Sequence, residues 1–183
     1  MGPVLIILGI VAVLVIAYIS IYNGIVTARN RCDNAWQTID AQLQRRSDLI
    51  PNLVETVKAF AGHESDVFES VSAARASMNA ASTPEAKMAA NEQLSGALTR
   101  LFAVAEAYPQ LKSDANFLAL QNDLTDTENK VSYARMSFND TVLKYNNAIQ
   151  TFPGSLVAGM AGFQPLNGFV ADVEARDVPK VQF

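Results

Sequence analysis

FLALQNDLTDTENKVSYARMSFNDTVLKYNNAIQTF, residues 117–152, decides the fold. Phe117, Leu124, Val131, Phe138, Tyr145 and Phe152 recur every seven residues without a miss. Leu120, Thr127, Ala134, Thr141 and Ala148 run beside them, three positions on. Two seams at that spacing share one side of an α-helix and predict a long helix facing other helices at a shallow crossing angle. Ser113 stands where an N-cap would open it, and Pro153-Gly154 closes it.

The segments before it read the same way. Tyr22, Arg29, Trp36, Leu43 and Ile50 form one seven-residue ladder, with Ile25, Cys32 and Ile39 beside it. Leu53, Phe60, Val67 and Ala74 form another, beside Val57, Val71 and Met78; Leu94, Leu101 and Tyr108 form a third, beside Leu98 and Ala105. Thr83-Pro84 is an N-cap followed by proline in the first turn. Ser47-Asp48 ahead of Pro51 marks a further start, unless Pro51 only kinks one continuous helix. Between residues 25 and 150 the only glycines and prolines are Gly62, Gly96, Pro51, Pro84 and Pro109. Such sparse punctuation favours long helices. The predicted helices cover about 4–46, 49–80, 84–107 and 114–151. Short connections make neighbours antiparallel, so the expected fold is all-α: an N-terminal transmembrane helix continuing into an antiparallel up-down four-helix bundle.

The transmembrane expectation rests on the front of the chain. No Asp, Glu, Lys, Arg or His precedes Arg29, and Val4–Ile21 is an 18-residue apolar run broken only by Gly9 and Ser20. At about 1.5 Å per residue a helix of that length matches a bilayer's hydrocarbon core of about 30 Å. Val4, Ile10 and Leu14 would face lipid, and Tyr18 and Tyr22 would sit at the interface where aromatic belts form. A cleaved signal peptide would show a basic n-region and a small-residue cleavage site, and neither is present, so a retained anchor is expected. The chain divides into an anchor (1–22), a helical bundle (23–152) and an apolar, glycine-containing segment with a polar tail (153–183).

Composition limits the chemistry. The formal net charge of −4 and pI near 4.9 exclude a basic nucleic-acid binder. One cysteine permits no internal disulfide, and one histidine excludes a histidine-rich metal site within a single chain.

Three stretches carry a family resemblance: YNGIVTARNRCDNAWQTIDAQLQRRSDLIPNLVETVKAFAGHE (22–64), LSGALTRLFAVAEAYPQLKSDANFLALQNDLTDTEN (94–129), and the segment from Tyr145 to Pro165 with its FPGSLVAGMAGF core. They resemble the LemA family of bacterial membrane proteins, in order and over nearly the whole chain after the anchor. Cys32-Asp33 departs from the acidic or apolar pair expected there. The resemblance implies a single anchor, an antiparallel helical bundle and no established enzymatic reaction. Because some members are linked to building magnetosome membranes, it also implies a role in membrane organisation.

His63, Glu64 and Asp66 lack a preceding E-x-x-H and a following H-E-x-x-H; a solvated stripe near Gly62 is expected, with no metal or cofactor. Asp123, Asp126 and Glu128 beside Lys130 read as a polar face or an interhelical ion pair, not an acid–base pair. Arg29 falls on an inward ladder and would need a carboxylate, so Arg29, Asp33, Asp126 and Glu128 are the expected register-setting ion pairs, unless Arg29 snorkels to headgroups. Arg45, Arg46 and Arg100 complete the notable arginines. Cys32 reads as a buried inert thiol, and Trp36 as a core anchor. Leu156, Val157, Met160 and Phe163, with Gly159 and Gly162 between them, form a run too short to span a bilayer; unless it only covers the bundle's end, it is expected at the membrane surface or against another copy. Beyond Pro165 a loosely held tail is expected.

The resulting expectation is a non-catalytic scaffold in the bacterial inner membrane. It would self-associate, contact the bilayer and organise membrane or partner proteins, including an unidentified membrane protein, without nucleic acid or cofactor. The competing class is a sensor or ligand-binding bundle. Arg29 and Arg31 follow the anchor while no Lys or Arg precedes it, so the bundle is expected in the cytoplasm.

Overall fold

The computed structural model describes residues 1–169. Among them every regular element is helical: α1 (Gly2–Lys58), α2 (Ser65–Ala80), α3 (Pro84–Glu106), α4 (Pro109–Lys112), α5 (Ala115–Gln150) and α6 (Gly154–Ala161). The chain divides into two compact units, one of Trp36–Ala134 and one made from Met1–Ala35 together with the chain from Arg135 onward.

α1 corrects the expected boundary at Ser47. The helix runs unbroken through Pro51 to Lys58, and the connection to α2 lies at residues 59–64 around Gly62. Pro51 has no N–H to give the carbonyl four residues back, which is that of Ser47. Arg75 Nε donates to that carbonyl at 3.1 Å, and Ser47 Oγ donates to Asn79 Oδ1 at 2.9 Å. Both partners come from α2. A proline that read as a helix start is therefore held inside a helix by side chains from the next one.

In the unit Trp36–Ala134 the core is built from Ile39, Leu43, Ile50, Leu53 and Val57 of α1, Phe68, Val71 and Met78 of α2, Leu94, Leu98 and Leu101 of α3, and Phe117, Leu124 and Val131 of α5. The seven-residue ladders supply most of this list. Phe60 instead falls in the α1–α2 turn and is exposed, while Phe68 is buried in its place. Trp36 is only half-buried. Thr83 caps α3 as expected, accepting from Ala86 N at 3.2 Å with Pro84 in the first turn. Asp114, not Ser113, caps α5 by accepting from Phe117 N at 2.9 Å.

In the other unit, Ile25 and Cys32 of α1 are buried, as are Phe138, Val142, Tyr145 and Ile149 of α5 and Val157 of α6. The α5 ladder ends at Tyr145: Phe152 lies beyond the helix and is exposed. Gly154 then turns the chain into α6. A Cβ there would come within 2.0 Å of the Ala148 carbonyl oxygen, so only glycine allows α6 to start this close to α5. Gly162, at φ 75°, caps α6 in the left-handed conformation.

Residues 166–169 correct the expectation of a loose tail beyond Pro165. Asn146 and Asn139, seven residues apart on α5, each clamp one tail residue by both its backbone groups. Asn146 Nδ2 donates to Leu166 O at 2.8 Å and Oδ1 accepts from Leu166 N at 2.9 Å. Asn139 makes the same pair with Phe169 O and N, both at 2.8 Å. Tyr145 Oη donates to Gln164 O at 2.8 Å, and the Phe169 ring packs 5.0 Å from that of Phe138. The remainder of the expected polar tail, from residue 170, lies outside the described residues.

Candidate membrane-surface site

The site starts from α1. Its most apolar 18-residue window has a mean hydropathy of 3.1 and none of it is buried. Val4, Ile10 and Leu14 all stand exposed. A helix bare of polar side chains, with its backbone satisfied internally, is what hydrocarbon accepts. At the end of this run the Tyr18 and Tyr22 rings stack, with centroids 6.4 Å apart.

The chain leaving α6, just past its Gly162 cap, meets α1 at that point. The Phe163 ring lies 5.7 Å from Tyr22 in a tilted contact. Within α6, Val157 and Ala158 turn inward, so Val157 does not share the surface position expected for it. Leu156 and Met160, four residues apart on one face, are 62% and 78% exposed. Phe152, just before α6, is exposed as well. The aromatic end of the apolar run and Phe163, just after α6, are thus in contact within one unit.

The charged residues fall into separate places. Arg29 pairs with Asp33 on its own helix at 3.8 Å and lies 5.7 Å over the Tyr145 ring; Asp126 pairs with Lys130 on α5 at 2.7 Å. Neither Arg29 nor Asp126 bridges two helices in these pairs. The buried arginine is Arg46, which is 4% exposed. Its Nη1 donates to Asn91 Oδ1 of α3 and meets Glu128 Oε2 of α5, each at 2.5 Å. Burial pushes the Arg46 guanidinium below its usual range, and the Glu128 carboxylate opposes that shift by charge and hydrogen bond. Arg46 Nε finds no acceptor among the described residues. An open cleft of about 300 Å³ adjoins the cluster, with Leu98, Phe102 and Leu124 among its apolar walls. The signal for Arg46 was in the sequence: Ile25, Cys32 and Ile39 continue at seven-residue spacing to Arg46 and Leu53. Lys87 of α3 forms a second cross-helix ion pair, with Asp40 of α1.

The other residues singled out in the sequence are placed as follows. His63 lies exposed in the turn before α2, so it does not share a helical face with Asp66. Cys32 is buried, and its Sγ donates to Ala28 O at 3.5 Å. Burial raises the Cys32 thiol above its ordinary value, the Asp33 carboxylate adds to this, and the Thr141 hydroxyl and Arg29 act against it.

The family model described as the LemA family matches residues 35–183. The chain is also similar to magnetosome protein MamQ of Magnetospirillum gryphiswaldense, with 26% identity over 208 residues covering 97% of this chain and 76% of the relative. Magnetosome proteins MamQ 1 and MamQ 2 of Paramagnetospirillum magneticum match with the same identity and coverage.

Proposed function

The chain belongs to the LemA family, and from that premise we propose that it is a non-catalytic, membrane-anchored scaffold that self-associates and organises membrane or partner proteins. The observation that carries the reading is the fully exposed apolar window of α1, which has no place to be buried within the fold. Relatives named as magnetosome proteins support a role at membranes. The proposed arrangement is an antiparallel up-down four-helix bundle on the cytoplasmic face of the bacterial inner membrane, with Arg29 and Arg31 at the cytoplasmic boundary.

Self-association is supported by α5. Its inward face takes Phe138, Val142, Tyr145 and Ile149, yet Met136 and Leu143 stand exposed seven residues apart on the opposite side. Apolar side chains at that spacing fit the seam of a second helix. Anchoring confines copies to a plane, which raises their effective concentration and lets a small seam suffice. The test is oxidative cross-linking in intact membranes of Leu143→Cys in a Cys32→Ala background. A cross-linked species larger than one chain is expected. Only uncross-linked chain, with the introduced thiol still reactive to a small alkylating reagent, would remove this part of the reading.

The cleft beside Arg46 favours a second reading, a ligand-binding bundle. Its volume is at the lower end of small-molecule sites, and it combines apolar walls with a buried guanidinium. A thermal-shift screen of metabolites on the full chain separates the two. Stabilisation that Phe102→Ala abolishes would favour the ligand-binding reading.

A further inference from the structure

We infer that α6 is an uncharged foot that inserts Leu156 and Met160 into the interface of the bilayer crossed by α1, held by apolar burial and not by attraction to anionic headgroups. The inference rests on the membrane-anchored reading above and adds a second attachment point together with the lipid chemistry it recognises.

Position comes first. The Tyr22–Phe163 contact sets the chain two residues past the end of α6 beside the aromatic end of the apolar span. An interfacial depth for Tyr18 and Tyr22 therefore brings α6 to the headgroup level. Its orientation is fixed as well. Gly154 seats its start against the last turn of α5, the buried Val157 and Ala158 hold its inner face, and the Asn146 clamp on Leu166 fastens the chain that follows. Leu156 and Met160 point away from all of these contacts and stand bare.

Charge settles the kind of surface. No Asp, Glu, Lys, Arg or His occurs before Arg29, and none occurs between Lys144 and Asp172. The two segments that meet at Tyr22 and Phe163 are thus the two long uncharged stretches of the sequence. Interfacial helices commonly line their polar face with Lys and Arg and depend on anionic lipid. α6 has neither residue type, and its polar positions are a serine, small residues and backbone. A neutral surface of this kind gains nothing from anionic headgroups and is insensitive to salt screening. Continuity with the lipid-facing window of α1 makes the bilayer, not a second copy of the chain, the occupant of the Leu156–Met160 face.

The test uses the full chain in nanodiscs, with a nitroxide at Met160→Cys and, separately, at Leu14→Cys, both in the Cys32→Ala background. Collisions with oxygen report lipid, and collisions with a water-soluble nickel chelate report solvent. The discs are of phosphatidylcholine alone or with phosphatidylglycerol added. The expected result is oxygen-dominated relaxation at both positions, unchanged by phosphatidylglycerol or salt. A lipid-exposed Leu14 with a nickel-accessible Met160 would overturn the foot and leave the anchor standing. Protection of Met160 from both reagents would mean that another copy covers it, and would equally overturn the foot. Oxygen exposure of Met160 only when phosphatidylglycerol is present would overturn the claim of charge-independent binding. A nickel-accessible Leu14 would remove the anchored reading and this inference together.

Discussion

Arg46 is a full charge held away from water, and its position depends on two residues from other helices, Asn91 and Glu128. Removing the carboxylate leaves the guanidinium buried without its counter-charge. Glu128→Ala should therefore lower stability by about 1–3 kcal/mol, less than for a fully buried pair because the Glu128 side chain is 47% exposed. Chemical denaturation measures this, and an unchanged midpoint would show that Arg46 needs no counter-charge from Glu128. The seven-residue count from Ile25 through Cys32 and Ile39 makes Arg46 a candidate for burial. Arg29 lies on the neighbouring ladder with Leu43 and Ile50, whose upper positions, Tyr22, Arg29 and Trp36, are not fully buried. Periodicity named two candidate stripes on α1, and only the packing of the other elements chose between them. Phe138 was legible outright, since it sits mid-ladder and is buried. Phe138→Ala should destabilise by about 3–5 kcal/mol, and a melting point within a degree or two of the parent would contradict its burial. Cys32 gives a pH prediction. Its folded value lies above the ordinary 9.0, so the stability it contributes is fully present below about pH 9 and is lost as pH rises through the higher folded value. Iodoacetamide should modify the native chain far more slowly than the unfolded chain, and equal rates would contradict the burial.

At the scale of elements, the instructive case is Pro51. Sequence chemistry offered both a helix start and a kink, and the choice depends on whether anything satisfies the Ser47 carbonyl. Arg75, 28 positions along the chain from Ser47, does so. No local rule could show this, whereas the Thr83-Pro84 start of α3 was readable because cap and proline act within one turn. Arg75→Met should cost about 1–2 kcal/mol in the parent. The cost should shrink in a Pro51→Ala background, where the restored N–H can supply the carbonyl. An equal cost in both backgrounds would mean that Arg75 acts elsewhere. The tail clamp was missed for a similar reason. Asn139 and Asn146 are seven residues apart, but two asparagines at helical spacing carry no signal until the chain that they bind is known. Each satisfies both backbone groups of one residue, so Asn146→Ala should speed amide exchange at Leu166 by at least about tenfold, the factor corresponding to about 1.4 kcal/mol. Unchanged exchange would show that the tail is held by its apolar contacts alone.

For the molecule as a whole, the helical class and the apolar front of α1 were legible because both are one-dimensional patterns: spacing in one case, an uninterrupted apolar run in the other. The neighbourhood of Tyr22 and Phe163 was legible only as an expectation, since it joins residues at opposite ends of the chain. The proposed cytoplasmic placement of the folded region rests on Arg29 and Arg31. Protease added to intact spheroplasts should leave that region uncut, and rapid digestion would reverse the assignment. The central claim, that anchored copies assemble, is tested most directly by the protein mass of the full chain extracted in mild detergent, measured by light scattering after size separation. The account predicts a mass above that of one chain, falling to one chain in the Met136→Glu/Leu143→Glu variant. A parent chain that remains a single copy across the accessible concentrations would contradict it.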